Sequence, residues 1–391
     1  MFSQHDPLAE QRLQQIQRAR MAVFDDDGGL RVQDAAGDTG VSGLFAMRPD
    51  SEWIERSWRR CLAQGQRPHH RVAFDVVTPY TVRRAQDAQH LLLQAARPAL
   101  ESLGRATAST RYFAILTDAN GVVVDVSGEV DRTDPRAAAI ARVGVDLSER
   151  SIGTSAISAA LFERRSVWLH RGEHFFRDTA MYSCAGAPVF GPAGDCVGML
   201  DLTGVEVAER PELQHLVARA ARNIENALTL RAPHRLLLRL NWPGQLGGGD
   251  ADGLLCLDDD GCVTGANQAA RQIVSGLAAG RQPLHSDELF AMPVNLLFDA
   301  AQRGRSGNAM LDVPLWSGLR VQVQAQIEGP GASAALGLRT MEQAVPLKDV
   351  ELALVHRAVA EARGNVAQAA RALGISRATV YRKLGRKPPG S

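Results

Sequence analysis

The chain has 391 residues, enough for two or three domains each with its own core, and its 44 basic and 43 acidic side chains nearly cancel. It holds three lysines, Lys348, Lys383 and Lys387, none after a glycine, which excludes the Gly-Lys-Ser/Thr loop of a Walker-type nucleotide site. Its five cysteines form no C-x-x-C pair, no apolar run approaches a membrane span, and the first twenty residues lack an apolar signal segment, a pattern that predicts reduced thiols in a soluble, cytoplasmic protein.

Residues 7–22 read as a polar helix, followed by a Gly/Asp-rich loop at 25–43. Ser51 is placed to cap a second helix with Trp53, Ile54 and Trp58 on its apolar face and Arg56, Arg59 and Arg60 on a solvated one. Apolar positions every three to four residues predict a longer helix over 82–103, packed on the next domain or on its copy in a dimer. The period then changes to two. Residues 112–118 and 122–128 flank an Ala119-Asn120-Gly121 turn as a hairpin, and 135–142 return to helix. Ser151 is expected to cap a helix over 152–161, with a short strand at 166–169, a second hairpin at 181–190 and 196–204, and a closing helix at 211–230. Strands and helices in this order predict an α+β sensory module, an antiparallel sheet flanked by helices.

Residues 233–250, ending in Asn241-Trp242-Pro243-Gly244 and three further glycines, read as a linker. Beyond it come a strand, an Asp258-Asp259-Asp260-Gly261 turn, a second strand, and a helix starting near Asn267. Later strands are expected at 309–315, 319–327 and 334–338.

From Arg363 onward the chain has seven basic residues and no acidic one, interleaved with a helical apolar pattern. Asn365 caps a helix with Val366, Ala370 and Leu373 on its core face, Gly374 supplies the turn, and Ser376 caps a second helix that buries Val380 and Leu384. The second helix turns Ala378, Tyr381 and Arg382 outward with Thr379 on its flank, a helix-turn-helix pattern. Arg377 at its start can bond guanine bidentately, and Arg382, Lys383, Arg386 and Lys387 can neutralise phosphates. A basic helical hairpin used for packing or RNA contact is the bland alternative.

The segment 364–386, GNVAQAARALGISRATVYRKLGR, resembles the Fis-type helix-turn-helix that ends many bacterial enhancer-binding regulators. The resemblance implies Ser376 and Arg377 at bases, Asn365, Thr379, Arg382 and Lys383 at phosphates, and a dimerising helix at 346–363. Ser57-Trp58-Arg59-Arg60-Cys61, Gly153-Thr154-Ser155-Ala156-Ile157, Ser183-Cys184-Ala185-Gly186-Ala187-Pro188-Val189 and Gly198-Met199-Leu200-Asp201-Leu202-Thr203-Gly204 resemble the GAF domain at the front of acetoin-regulator-like activators. Such activators usually carry Asn where Ser155 stands and Trp near Met181. The strand order after residue 250 resembles a small PAS-like domain. The expected organisation is an N-terminal extension at 1–80, a GAF domain at 81–232, a linker at 233–250, a PAS-like domain at 251–340 and an all-α Fis-type domain at 346–391.

Trp168, His170, His174, Phe175, Phe176, Met181 and Cys184 cluster where a GAF pocket is usually lined, and each also reads as core. His170, His174 and Cys184 raise a metal reading, but the spacing is not H-E-x-x-H and no carboxylate is fixed to activate water, so neither metal nor cofactor is expected. No nucleophile, base and orienting group assemble in the sequence, so no enzyme is expected either. Regulators with this front and tail normally carry a central ATPase, for which the lysines leave no phosphate loop. The sequence thus predicts a homodimeric, ligand-responsive regulator that binds a double-stranded DNA operator and a small organic effector, with contacts to RNA polymerase or another regulator. The alternative is an adaptor that acts through a partner such as a full-length activator.

Overall fold

The computed structural model describes residues 7–24, 52–74, 77–245, 247–277, 283–303, 310–327, 365–372 and 379–380. The chain divides into two units, residues 1–328 and 329–391. The first is built on two five-stranded antiparallel sheets.

Ahead of the first sheet come α1 (Pro7–Val23), α2 (Glu52–Ala63), α3 (Pro79–Ala88) and α4 (His90–Thr107). The helix expected over 82–103 is therefore two. Thr78 caps α3 by accepting from the Thr81 N–H, Pro79 opens it, and the backbone leaves helical geometry at Gln89 (φ −113°, ψ 21°). The break lets α4 lay Leu92, Ala95, Ala96, Ala99, Leu100 and Leu103 on the sheet, while α3 buries no residue.

The sheet itself comprises β1 (Tyr112–Asp118), β2 (Val123–Ser127), β3 (Val167–His170), β4 (Tyr182–Phe190) and β5 (Cys196–Val205), in the order β2-β1-β5-β4-β3. Between β2 and β3 lie α5 (Pro135–Ile140), α6 (Glu149–Ile152) and α7 (Ala156–Glu163), and α8 (Leu213–Thr229) closes the module. Strand alternation divides the core in two. Ala114, Leu116, Ala185, Leu200 and Leu202 face α4 and α8. Phe113, Ile115, Cys184 and Met199 face α2 and α5–α7.

The single helix expected over 152–161 under a Ser151 cap is α6 followed by α7, and the cap is Ser155. Gly153 takes φ 65°, a region closed to most side chains, and a Cβ there would stand 2.8 Å from Phe175 Cβ. Ser155 then resets the backbone to an extended conformation and accepts from the Ser158 N–H at 3.2 Å in a capping box.

The second sheet comprises β6 (Leu236–Asn241), β7 (Gly253–Leu257), β8 (Val263–Ala266), β9 (Met310–Pro314) and β10 (Arg320–Ile327), in the order β8-β7-β6-β10-β9, with α9 (Gln268–Ile273) and α10 (Val294–Arg303). Residues 236–241, inside the segment expected as linker, are its central strand, paired with both β7 and β10. Leu236, Leu238 and Leu240 enter the core of this module, each burial stabilising by about 1.5–3 kcal/mol. The glycine-rich stretch after Trp242 is loop, as its composition predicts. The strand expected at 334–338 lies outside the described residues.

The two sheets meet through α8 and the β4–β5 turn. Asn267, buried at the head of α9, accepts from the Leu254 and Ala270 N–H groups and donates to Asn226 on α8 and to the Asp252 carbonyl. Pro192 in the turn accepts from the Ala266 N–H at 2.9 Å and from Arg271 at 2.8 Å.

In the second unit, α11 (Val366–Ala372) is the one helix long enough to name among the described residues. Asn365 accepts from the Gln368 N–H at 3.2 Å, the cap the sequence predicts. Ala370 and Val380 are buried and Thr379 is half-buried.

The left-handed glycines separate two costs. Gly153→Ala should lower stability by about 1–3 kcal/mol, since strain and collision add. Gly318→Ala, at φ 84° with open space around it, should cost only about 1–2 kcal/mol of backbone strain. Urea unfolding of both variants measures the difference, and Gly153→Ala is expected to be the less stable.

Candidate ligand cavity

Between the α5–α7 face of the first sheet and those helices lies a cavity of about 20 Å³. Its apolar wall includes Ile115 from β1, Ile140 from α5, Ile152 from α6, Ile157 from α7, and Phe74 from the segment after α2. Polar groups line the rest: Ser155, His174, Thr179, Tyr182, Cys184, Asp201 and Thr203. Such a volume holds about one water molecule, so any larger occupant must push a wall outward.

Several of these polar groups are already engaged. Tyr182 donates to the Arg136 carbonyl and Thr179 to the Phe176 carbonyl, each at 3.0 Å. Thr203 donates to Asp201 Oδ2 and its hydroxyl lies 3.4 Å from Cys184 Sγ. Of the residues that line the cavity, Asp201 and His174 each have a buried atom, Oδ1 and Nε2, that finds no hydrogen-bond partner among the described residues. A buried polar atom without a partner costs about 1–3 kcal/mol, so a group that reaches either atom recovers that energy.

The ionisation of both follows from burial. Desolvation raises the Asp201 carboxyl to about 7, against the lowering effect of the Thr203 hydrogen bond. Burial lowers His174 to about 4, so near neutral pH its ring is uncharged. Its Nδ1 lies 2.9 Å from the Arg171 carbonyl and so carries the proton, leaving Nε2 as a buried acceptor on a cavity-lining residue. Cys184 is pushed well above the usual thiol range by burial and by Asp201, the reverse of an activated nucleophile.

Of the seven residues singled out by sequence, His174 and Cys184 line the cavity. Trp168 does not. It pairs across strands with Ala185, packs on the α4–α8 side, and donates to Glu209 at 3.2 Å. His170, two residues on and so on that same face, bonds Ser183 through Nδ1 at 2.6 Å. His170 and Cys184 therefore project to opposite faces, and the His-Cys grouping that raised a metal reading does not assemble. Phe175 and Phe176 pack edge to face behind the cavity, with ring centroids 5.0 Å apart, and Met181 packs half-buried against the same core.

Sequence reasoning missed Asp201 and Thr203. The signal in the sequence was an acidic residue between Leu200 and Leu202 in an otherwise apolar strand. On the C-terminal side, Asn365 and Thr379 are placed as described above. Ser376, Arg377, Tyr381, Arg382 and Lys383 lie outside the described residues.

The raised Asp201 value sets a pH dependence. An acid whose folded pKa exceeds its unfolded one contributes stability that is fully present below the unfolded value of 3.8 and is lost as pH rises through about 7. Asp201→Asn removes that loss. Thermal melts at pH 5 and pH 8 should show the wild type losing more stability than Asp201→Asn over that interval, and parallel losses would place the titration elsewhere.

Comparison with known proteins agrees at both ends of the chain. Residues 346–386 match the model of the bacterial regulatory protein, Fis family, and residues 42–226 match that of the MimR N-terminal domain. The second match takes in α2, expected within the N-terminal extension. The acetoin catabolism regulatory protein of Cupriavidus necator is 31% identical over 233 residues, 58% of this chain and 35% of that protein. The acetoin dehydrogenase operon transcriptional activator AcoR of Bacillus subtilis is 24% identical over 208 residues, 52% of this chain and 34% of its own length. The chain thus spans about a third of the length of these curated relatives. Among solved structures, a chain of the E. coli DhaR(N)–DhaL complex aligns with a TM-score of 0.42 at 16% identity, over 70% of this chain and 99% of that one. No helix among the described residues is long and apolar enough to cross a membrane. The chain thus carries matches to two family models, a MimR N-terminal domain and a Fis-family helix-turn-helix, and is similar to bacterial acetoin catabolism regulators over about a third of their length.

Proposed function

We propose that this is a cytoplasmic, homodimeric transcription regulator in which a small organic effector in the first module's cavity changes how the helix-turn-helix binds its operator. One observation carries the reading. A Fis-family helix-turn-helix shares a chain with a small, largely apolar cavity lined by Asp201 and His174, each with a buried polar atom that finds no partner among the described residues. An effector that bonds those atoms stabilises one arrangement of the module over another, and differential affinity of that kind shifts a conformational equilibrium. The relatives named for acetoin catabolism favour small, neutral metabolites. A charged carboxylate ligand would meet Asp201, and its own desolvation would find no cation among the described wall residues.

In this reading the first sheet is the GAF-like sensor, the second a PAS-like module held to it by Asn267 and Pro192, and residues 346–391 the dimeric DNA-binding domain. Ser376 and Arg377 read bases, Asn365, Thr379, Arg382 and Lys383 bind phosphate, and Tyr381 projects from the same helix. Without a Gly-Lys-Ser/Thr loop, regulation proceeds by DNA occupancy or by contact with RNA polymerase or another regulator, with no ATP hydrolysis and no remodelling of the sigma-54 holoenzyme. Nor does the reading assign catalysis, because the cavity's thiol is held protonated by burial. The same missing loop supports a second reading, an adaptor that acts through a partner supplying the ATPase.

Selection of bound fragments from a genomic DNA pool with purified protein, at two salt concentrations, separates the two. An inverted repeat enriched at both salts is expected for the regulator. Retention without a motif, lost on adding salt, indicates phosphate contact alone and favours the adaptor. Arg377→Ala should weaken binding to the enriched site by about 1–3 kcal/mol and leave the dimer intact. Unchanged discrimination in that variant removes Arg377 from base readout.

A further inference from the structure

The cavity is too small for a metabolite of several heavy atoms, so one of its walls must move to admit one. Most walls are held within the module. Ile115, Cys184, Asp201 and Thr203 sit on β1, β4 and β5, the three central strands of the ladder, and Ile157 sits on α7 behind its capping box. Two wall residues are held from outside it, His174 and Phe74.

His174 belongs to the turn at 171–176, and α1 grips that turn. The Arg20 guanidinium donates to three carbonyls of that turn: Gly172 at 2.9 Å, His174 at 2.6 Å and Phe175 at 2.8 Å. The same guanidinium lies over the rings of Phe24 and Trp58, at 5.0 and 5.3 Å from their centroids. Arg12, two turns earlier, pairs with the wholly buried Glu173. Gly172 lets the helix approach this closely, for a Cβ there would stand 3.0 Å from Ile16 Cγ2. Beneath α1, Trp58 on α2 donates to the Glu173 carbonyl at 2.9 Å.

Phe74 lies on the strap that leaves α2. Along it, Gln66 donates to the Glu149 and Arg150 carbonyls, Pro68 accepts from the Arg177 N–H, and the Val72 N–H donates to Asp178. His174 therefore hangs on α1, while Phe74 lies on a strap that runs from α2 and is pinned to the first module at 149–150 and 177–178.

We propose that α1, seated through Arg20 and Arg12 on the 171–176 turn, is a latch that gates the cavity and reports whether it is filled. Filling the cavity pushes His174 outward and loosens the carbonyls that Arg20 holds, so occupancy and α1 docking oppose each other. By the reciprocity of coupled equilibria, releasing α1 opens the cavity. The latch rests on the reading of the cavity as an effector site.

Cysteine labelling tests the gating with no ligand present. Cys184 lines the cavity and Cys256 is buried in the second module, so one protein carries both probe and control. The full-length protein is treated with methyl methanethiosulfonate, which transfers its methylthio group to a thiolate with loss of methanesulfinate, and each cysteine peptide is followed by mass spectrometry. Arg20→Gln removes the clamp. Gly172→Leu wedges α1 away without deleting a polar partner, and serves if the first variant folds poorly. Each should raise the Cys184 labelling rate by roughly tenfold while Cys256 is unchanged. Equal Cys184 rates in the wild type and both variants overturn the latch. A parallel rise at Cys256 overturns it too, since α1 would then support the whole fold. Failure here leaves effector binding standing, whereas failure of any metabolite to bind would leave the gating intact.

Discussion

The structure depends on the alternation of β4 and β5. These are the longest strands, buried along nearly their whole length, and each residue's face is fixed by its partner in the register. Ala185 and Leu202 pair and face the α4–α8 layer. Cys184 and Thr203 pair and face the cavity. Asp201 stands two residues from Thr203, so it is carried to the same side and out of water. Its raised pKa, its unpartnered oxygen and the pressure on the Cys184 thiol all follow from that placement.

The same two strands join the chain's parts. Near one end they carry the cavity's polar groups, and at the other their turn offers Pro192 to the second module. Asn267 adds a second tie, with four hydrogen bonds that satisfy its side chain completely while it caps α9. A shift at Asp201 or Thr203 therefore has a covalent and hydrogen-bonded route to β8 and α9. The N-terminal helices work from the opposite side and hold the loop walls rather than the strand walls.

Much of this order was legible in the sequence. The two hairpins, the helix after them and the Asn365 cap were readable because each has a local cause: a turn glycine, a capping side chain or a buried stripe. Where reading failed, the deciding interaction was non-local. Trp168 and His170 sit beside pocket residues in sequence but project to the far face, since period two sorts neighbours apart. Residues 236–241 read as linker because the glycines after Trp242 dominate the segment, although Leu236, Leu237 and Leu238 already form an apolar run. Asp201 is a single acidic residue in an apolar stretch, and its burial depends on both sheet faces being covered, by α8 on one side and α5–α7 on the other. The division of 152–161 at Gly153 depends on Phe175, more than twenty residues away.

The central claim is that the cavity holding Asp201 and His174 is where an effector acts. The most direct test is a thermal-shift screen of small neutral metabolites against the wild type and Asp201→Leu, which removes the unpartnered oxygen and fills its space. At least one compound should raise the melting temperature of the wild type and leave Asp201→Leu unmoved. A compound that stabilises both proteins equally would contradict the claim and place effector binding outside this cavity.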